Sequence, residues 1–212
     1  MGDRECRNLN KMHLLFFVEE PSLEAALINL LPKIIGEACI YQFIVFAGKQ
    51  NLLNNLANRL CGYASWMPAD WRIVVMIDED REDCLVLKQR LEDAAHQAGL
   101  ISKSQAQGGA FQILNRIIVE ELEAWFIGDV NALRSVYPRL PASLGGKQKF
   151  RVPDAVTGGT RENLERLLMH YGYHAGGYSK RSAAVEISKY MNPEENRSHS
   201  FQVFVDGLNS IL

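Results

Sequence analysis

The chain has 212 residues, of which 47% are hydrophobic and 23% charged, with a formal net charge of −2. Its length suits one large domain or a domain with a small appendage, and its near-neutral charge excludes a protein that coats nucleic acid by bulk electrostatics, which needs a marked basic excess. No apolar run approaches the roughly 18 to 20 residues of a membrane span and the opening MGDRECRNLNK is too polar for a signal peptide, so a soluble, cytoplasmic protein without a membrane partner is expected.

The first half reads as alternating strands and helices. HLLFFVE (13–19) is a continuous apolar run of strand length, and SLEAALINLLPKII (22–35) has helical spacing, with Ser22 placed to cap it and Pro32 to break or kink it. YQFIVFA (41–47) reads as a second strand, NLLNNLANRLCGYA (51–64) as a second helix and WRIVVMI (71–77) as a third strand. The strands are apolar throughout instead of alternating, which is what a sheet covered on both faces requires. Strands separated by helices then imply right-handed crossovers and a parallel sheet, hence an α/β fold.

Residues 82–99 continue as an amphipathic helix, 111–121 as a fourth strand, LEAWFIG as a short helix, and DVNALRSVYP as another with Asp129 capping it. From 139 to 160 the composition shifts to Gly, Pro and basic residues, a connector. Helices are expected at about 161–171, 179–191 and 200–211. The expected organisation is therefore a core over 1–138 and, over 139–212, the connector with a helical C-terminal subdomain packed on that core. Cys6, Cys39, Cys61 and Cys84 form no C-x-x-C pair, so they are read as reduced and mostly core residues.

The third strand runs straight into Asp78, Glu79, Asp80, Glu82 and Asp83, interrupted only by Arg81, and the first strand ends in Glu19 and Glu20. Ligand crevices of α/β sheets lie beyond the carboxyl ends of the strands. If the first and third strands are neighbours, Glu19 or Glu20 faces Asp78 and Asp80 across one crevice. Crowded carboxylates repel one another, and a hard divalent cation with oxygen ligands relieves that, so Mg²⁺ or Mn²⁺ is the expected cofactor. Asp78 and Asp80, two apart at a strand end, are read as pointing the same way. Glu79, Glu82 and Asp83 are assigned to the first turn of the following helix, where acids complement the dipole.

A strand ending in Glu, then a helix, then a strand ending in Asp-x-Asp resembles the Toprim domain of topoisomerases, primases and OLD-type nucleases. Where that family has V-E-G-x-[ST], this chain has VEEPS (Val18 to Ser22), so Glu19 aligns with the family acid, and DED (78–80) fills the Asp-x-Asp motif. Glu20 stands where glycine is usual, which implies either a differently shaped turn or an added ligand. The segments DEDREDC, ELEAWFIGD, YSKRSAAVEISKYM and RSHSFQVFVDGL resemble a Toprim-related bacterial family catalogued as a domain of unknown function, over almost the whole chain. The resemblance implies a Toprim-like, Rossmann-like fold with a helical C-terminal cap. It also implies a Mg²⁺-dependent nuclease acting on a DNA or RNA backbone, beside an ATPase partner of the SMC, ABC or OLD type in an anti-phage or mobile-element system. Asp78 and Asp80 would be metal ligands, with Glu19 a ligand or general acid/base and water the nucleophile. A non-catalytic Toprim-fold subunit of an ATPase complex is the alternative.

Four further residues are candidates. Lys180 follows a glycine turn at a helix start, where a cation can contact phosphate. Arg116 is an odd charge in the middle of the fourth strand and is read as a partner for an active-site carboxylate. Glu121 and Glu123 follow that strand and do not share a helical face, so at most one is expected in the crevice. Lys147, Lys149 and Arg151 are read as a solvated loop, and Trp125 and Phe126 as core. His170 and His174 have metal-ligand spacing only if one helix holds both, and YGYHAGG ends it between them. No G-x-x-x-x-G-K-[ST] is present, so ATP is not expected to be used in cis.

Overall fold

A computed structural model describes residues 11–174 and 176–212. Four parallel strands, β1 (Met12–Val18), β2 (Cys39–Val45), β3 (Trp71–Asp78) and β4 (Ile113–Ile118), form one sheet in the order β2-β1-β3-β4. Register is continuous across β1 and β3, with His13 opposite Trp71 and Val18 opposite Met76. The chain leaves β1 toward β2 through α1 (Pro21–Ile34), then returns across the sheet to β3 through α2 (Lys49–Ala64) and on to β4 through α3 (Cys84–Gln97). The direction of travel reverses between β1 and β3, which makes their carboxyl ends the topological switch point where α/β sheets place their ligands.

The sheet is covered on both faces, as its apolar strands require. Leu15, Phe17, Ile73, Val75 and Ile77 face α2 and α3, burying Leu52, Leu56, Leu60, Leu87 and Leu91. On the opposite face, Leu14, Phe16, Val18, Val74 and Met76 share a core with α1, α4 (Glu123–Gly128), α5 (Val130–Val136), α6 (Thr160–His170), α7 (Lys180–Ser188) and α8 (His199–Asn209). Trp125 is fully buried there, stacked on Phe204 with ring centroids 5.2 Å apart, and Phe126 is equally buried. The elements after residue 139 thus complete one of the two helical layers. The expected connector holds three short 3₁₀ turns, at Ala142–Gly146, Gln148–Phe150 and Pro153–Ala155.

Several boundaries move for local reasons. Glu20, not Ser22, is the residue before α1, because Pro21 fits the first helical position where its missing N–H costs nothing. Pro32 lies in the last turn of α1, and the helix ends two residues later. β4 stops at Ile118, three residues earlier than expected, since Glu120 and Glu121 turn away to another helix. α6 ends at His170, so His174 lies outside it, bonded through Nε2 to the Tyr137 hydroxyl at 2.8 Å. The cysteines depart from the core assignment: Cys39 is buried, but Cys61 is exposed on the outer side of α2 and Cys84 is half-buried at the start of α3. Cys6 and the opening segment 1–10 lie outside the described residues. Among the described residues no helix is long and apolar enough to cross a membrane.

Candidate active site

The β1–β3 pairing brings the two acidic strand ends together. Glu19 follows β1 and is 6% exposed, and Asp78 ends β3 at 3%. The Asp78 N–H donates to Glu19 Oε2 at 3.3 Å. Burial pushes the Glu19 carboxyl up to about 7, with the charge of Asp80 adding to it. Burial likewise drives Asp78 well above the usual carboxylate range, reinforced by Glu19 and Glu123. Glu20 has extended backbone (φ −146°, ψ 158°), a conformation open to any residue, so the turn itself does not call for the glycine of the resembling motif. Its carboxylate accepts from the Ser22 hydroxyl and lies 3.4 Å from Lys180 Nζ.

Asp78 and Asp80 do not point the same way, contrary to the reading of their spacing. β3 ends at Asp78, and Asp80 sits in the left-handed region with φ +53°. Asp78 stays on the α1 and α7 side of the sheet. Asp80 swings to Lys49, the first residue of α2, whose Nζ lies 2.6 Å from Asp80 Oδ2 and 3.3 Å from Glu82 Oε1, and donates to the Glu79 carbonyl at 2.9 Å. Burial alone would lower the Lys49 pKa. Its hydrogen bond to Asp80 and the charges of Asp80, Glu19 and Glu82 raise it instead. Reasoning from sequence missed Lys49. The signal was present in FAGKQ, a Gly-Lys pair where a strand passes into a helix, at the same end of the sheet as the acids.

Lys180 is the first residue of α7, which Ser179 caps by accepting from the Ser182 N–H. Its ammonium faces Glu123, Glu20, Asp78 and Glu121, and their combined charge outweighs the burial that would otherwise lower its pKa. The segment after β4 divides its acids. Glu120 accepts from the Thr160 N–H and hydroxyl at 3.1 and 2.9 Å, and Glu121 from the Arg161 N–H at 2.8 Å, so both occupy the N-terminus of α6. Glu123 turns inward, 2% exposed, and accepts from the Tyr178 hydroxyl at 3.2 Å. Its other oxygen, Oε2, is buried with no hydrogen-bond partner among the described residues, and burial pushes this carboxyl up to about 7 against the pull of Lys180. Burial also raises the Tyr178 pKa, so this phenol is a donor to Glu123 and not a ready nucleophile.

Arg116 does not join the carboxylates. Two residues before the end of β4, its guanidinium instead donates to the carbonyls of Val203 at 3.2 Å and Asn115 at 2.8 Å, because α8 packs over that stretch of the strand. Among the remaining loop acids, Asp83 caps α3 by accepting from the Leu85 and Val86 N–H groups, and Glu82 lies between Lys49 and Arg90. Lys147, Lys149 and Arg151 are exposed.

What assembles is six carboxylates (Glu19, Glu20, Asp78, Asp80, Glu121, Glu123) against two lysines; Glu121 and Glu123 both face Lys180, where at most one of them was expected in the crevice, because the turn after β4 precedes α4 and frees them from a shared helical geometry. Beside them opens a recess of about 290 Å³ lined by Asp80, Arg81, Glu82, Glu120, Glu121 and Glu162. The donor chemistry fits a hard divalent cation: oxygen ligands only, one buried carboxylate oxygen unpartnered, and too little positive charge to match the negative. Among the described residues no three His, Cys, Asp or Glu side chains stand together as a ready ligand group. Asp80 and Glu20 are instead held by their lysines, and recruiting either as a ligand means drawing it away.

A family of proteins described as a domain of unknown function (DUF4276) matches residues 18–209. The chain belongs to this family. The match starts one residue before Glu19 and runs through α8, so the whole crevice falls within it. Neither a curated protein nor a solved structure matches the chain.

Proposed function

We propose that the chain is a Toprim-type nuclease that hydrolyses phosphodiester bonds of DNA or RNA with Mg²⁺ or Mn²⁺ held by the carboxylates at the β1 and β3 tips. The observation that carries this reading is the excess of carboxylate at the switch point, six groups against two lysines, three of them (Glu19, Asp78 and Glu123) buried and Glu123 Oε2 without a partner among the described residues. A phosphodiester is itself an anion and is repelled by such a crevice unless cations intervene. A divalent ion supplies charge neutralisation at phosphorus and a more acidic bound water. Glu19, Asp78 and Asp80 would hold it, with Glu20 and Glu123 within the same crowd. Lys180 would contact a non-bridging phosphate oxygen, a role supported by its loose hold on Glu20, and Glu120 and Glu121 bond to the N-terminus of α6. The motif order of the resemblance supports a kinship with OLD-type Toprim domains, and with it an ATPase partner in an anti-phage or mobile-element setting.

The ion pairs Lys49–Asp80 and Lys180–Glu20 favour a second reading, a non-catalytic subunit that keeps the fold and docks on an ATPase. The two separate in one assay, in which plasmid, linear DNA and RNA are incubated with purified protein and Mg²⁺ or Mn²⁺, beside an Asp78→Asn variant. Metal-dependent cleavage lost in the variant supports the nuclease. No cleavage by the parent protein, repeated with a candidate ATPase present, supports the subunit.

A further inference from the structure

The two outer edges of the sheet are finished differently. β4 carries Arg116, and the chain covers its start, where the Lys103 N–H donates to the Ile113 carbonyl at 2.9 Å. β2 has no such protection. Its 7 residues, CIYQFIV, include no charge and no proline, and they pair one-to-one with β1 without a bulge. Charge, proline, bulges and covering segments are the means by which edge strands avoid pairing with another chain.

The open main-chain groups of β2 follow from its phase. The N–H and C=O of one extended residue point to the same side, and the side alternates along the strand. The Phe46 N–H donates to the Val18 carbonyl at 2.8 Å, so Ile44, Gln42 and Ile40 face β1 in the same phase. Cys39, Tyr41, Phe43 and Val45 turn their main-chain groups away from the sheet. Among the described residues nothing hydrogen-bonds to those groups. The side chains add a symmetry. Tyr41 and Phe43 lie half-buried on the α1 face, with ring centroids 5.8 Å apart. Ile44 packs on the α2 face, which Gln42 and Ile40 share by alternation, and Gln42 is exposed. Outward from Gln42 the order is the same in both directions, an aromatic residue and then isoleucine.

We propose that β2 pairs with β2 of a second copy of this chain, antiparallel, across a two-fold axis at Gln42. A two-fold interface is self-complementary: where residue i meets j, j also meets i. With Gln42 opposite its own copy, Tyr41 meets Phe43 and Ile40 meets Ile44, each contact made twice. The backbone phase agrees with this register. Tyr41 and Phe43 both point outward and so exchange N–H···O bonds, while Gln42 falls at a non-hydrogen-bonded pair. The two Gln42 amides, each donor and acceptor, complement one another, and the uncharged strand sets no like charges opposite. A peptide of other sequence would use the same open groups; the symmetry about Gln42 selects a copy. Because the paired strands run in opposite directions, the two carboxylate crevices open at opposite ends of the joined sheet.

The test is sedimentation equilibrium of the full chain over about 1 to 500 µM, with amide hydrogen exchange and substitutions at Gln42. An edge of 7 residues a side buries less than the roughly 1,200 Å² of a standard interface, so a Kd of about 10 µM is expected. Exchange at Tyr41 and Phe43 should slow as concentration rises, while Gln42 and Ile44, already bonded to β1, do not change. Gln42→Lys and Gln42→Glu each oppose like charges across the axis and should weaken the dimer about tenfold, whereas their equimolar mixture restores it. Gln42→Cys, in a chain carrying Cys6→Ser, Cys61→Ser and Cys84→Ser, should crosslink to itself on oxidation with diamide, since Cα atoms of such a pair stand about 4.5 Å apart. Gln42 is exposed, so these changes leave the core intact, and an unchanged Tm of dilute protein checks that. A monomer at every concentration overturns the proposal and leaves the edge to a peptide of other sequence. A dimer indifferent to Gln42→Lys, a mixture no tighter than either variant alone, or a dimer that does not crosslink overturns it too, by placing the interface elsewhere. None of these outcomes depends on whether the carboxylate crevice cleaves anything.

Discussion

Lys49 and Lys180 open α2 and α7 on opposite faces of the sheet, and both reach into the same acidic crevice, yet they are held very differently. The Lys49 side chain is 8% exposed and makes three close contacts, to Asp80, Glu82 and the Glu79 carbonyl. The Lys180 side chain is 28% exposed, and its nearest carboxylate contacts are 3.4 and 3.5 Å, both to Glu20. A cation fixed at three points by its own chain is a clamp, tying the start of α2 to the acid loop. A cation held loosely above several carboxylates is free to exchange them for a phosphate. On the proposed function, the difference assigns Lys49 to stability and Lys180 to ligand.

The comparison breaks most severely at Asp78, which serves neither lysine alone. Asp78→Asn is expected to lower metal-dependent cleavage by about a hundredfold or more and to abolish any rise in Tm on adding Mn²⁺. In metal-free protein the same change removes a desolvated charge and should raise stability by roughly 1 kcal/mol, as replacements of strained site residues do. Calorimetry with and without Mn²⁺ reads both effects. Lys49→Met should destabilise by about 2 kcal/mol in urea denaturation, discounted from the cost of a fully buried pair because Asp80 is half-exposed. A loss below about 0.5 kcal/mol would remove the clamp. Lys180→Met should cost less than about 1 kcal/mol of stability while weakening cleavage roughly tenfold, through KM more than kcat. An equal stability loss at the two lysines would erase the distinction. The smallest effect is expected at Thr160→Val, which keeps the shape, removes one hydrogen bond to Glu120 and should cost about 0.5 kcal/mol without changing cleavage or the metal response.

The sheet was legible in the sequence because its strands are buried on both faces and read as uninterrupted apolar runs, and because parallel pairing follows from the alternation with helices. The meeting of Glu19 with Asp78 followed from placing β1 beside β3. Side-chain direction was less legible. An Asp-x-Asp pair reads as two residues on one side only while the backbone stays extended, and Asp80 leaves that conformation. Lys49 escaped notice since its partnership depends on α2 crossing to the far face, a tertiary fact. Arg116 stood out as a misplaced charge, but its destination is set by α8, whose contact with β4 is 87 residues away at Val203.

The left-handed backbone at Asp80 limits what this position can become. Side chains branched at Cβ or carrying long stems adopt that conformation at a cost, whereas Gly, Asn and Asp enter it readily. Of those three only Asp brings a charge. A lineage that alters the acid loop therefore has little room here: exchange for Asn or Gly keeps the turn and silences the carboxylate, while Glu keeps the charge and strains the turn. Position 80 is in this sense a one-letter site, held by the backbone as much as by any ligand it meets.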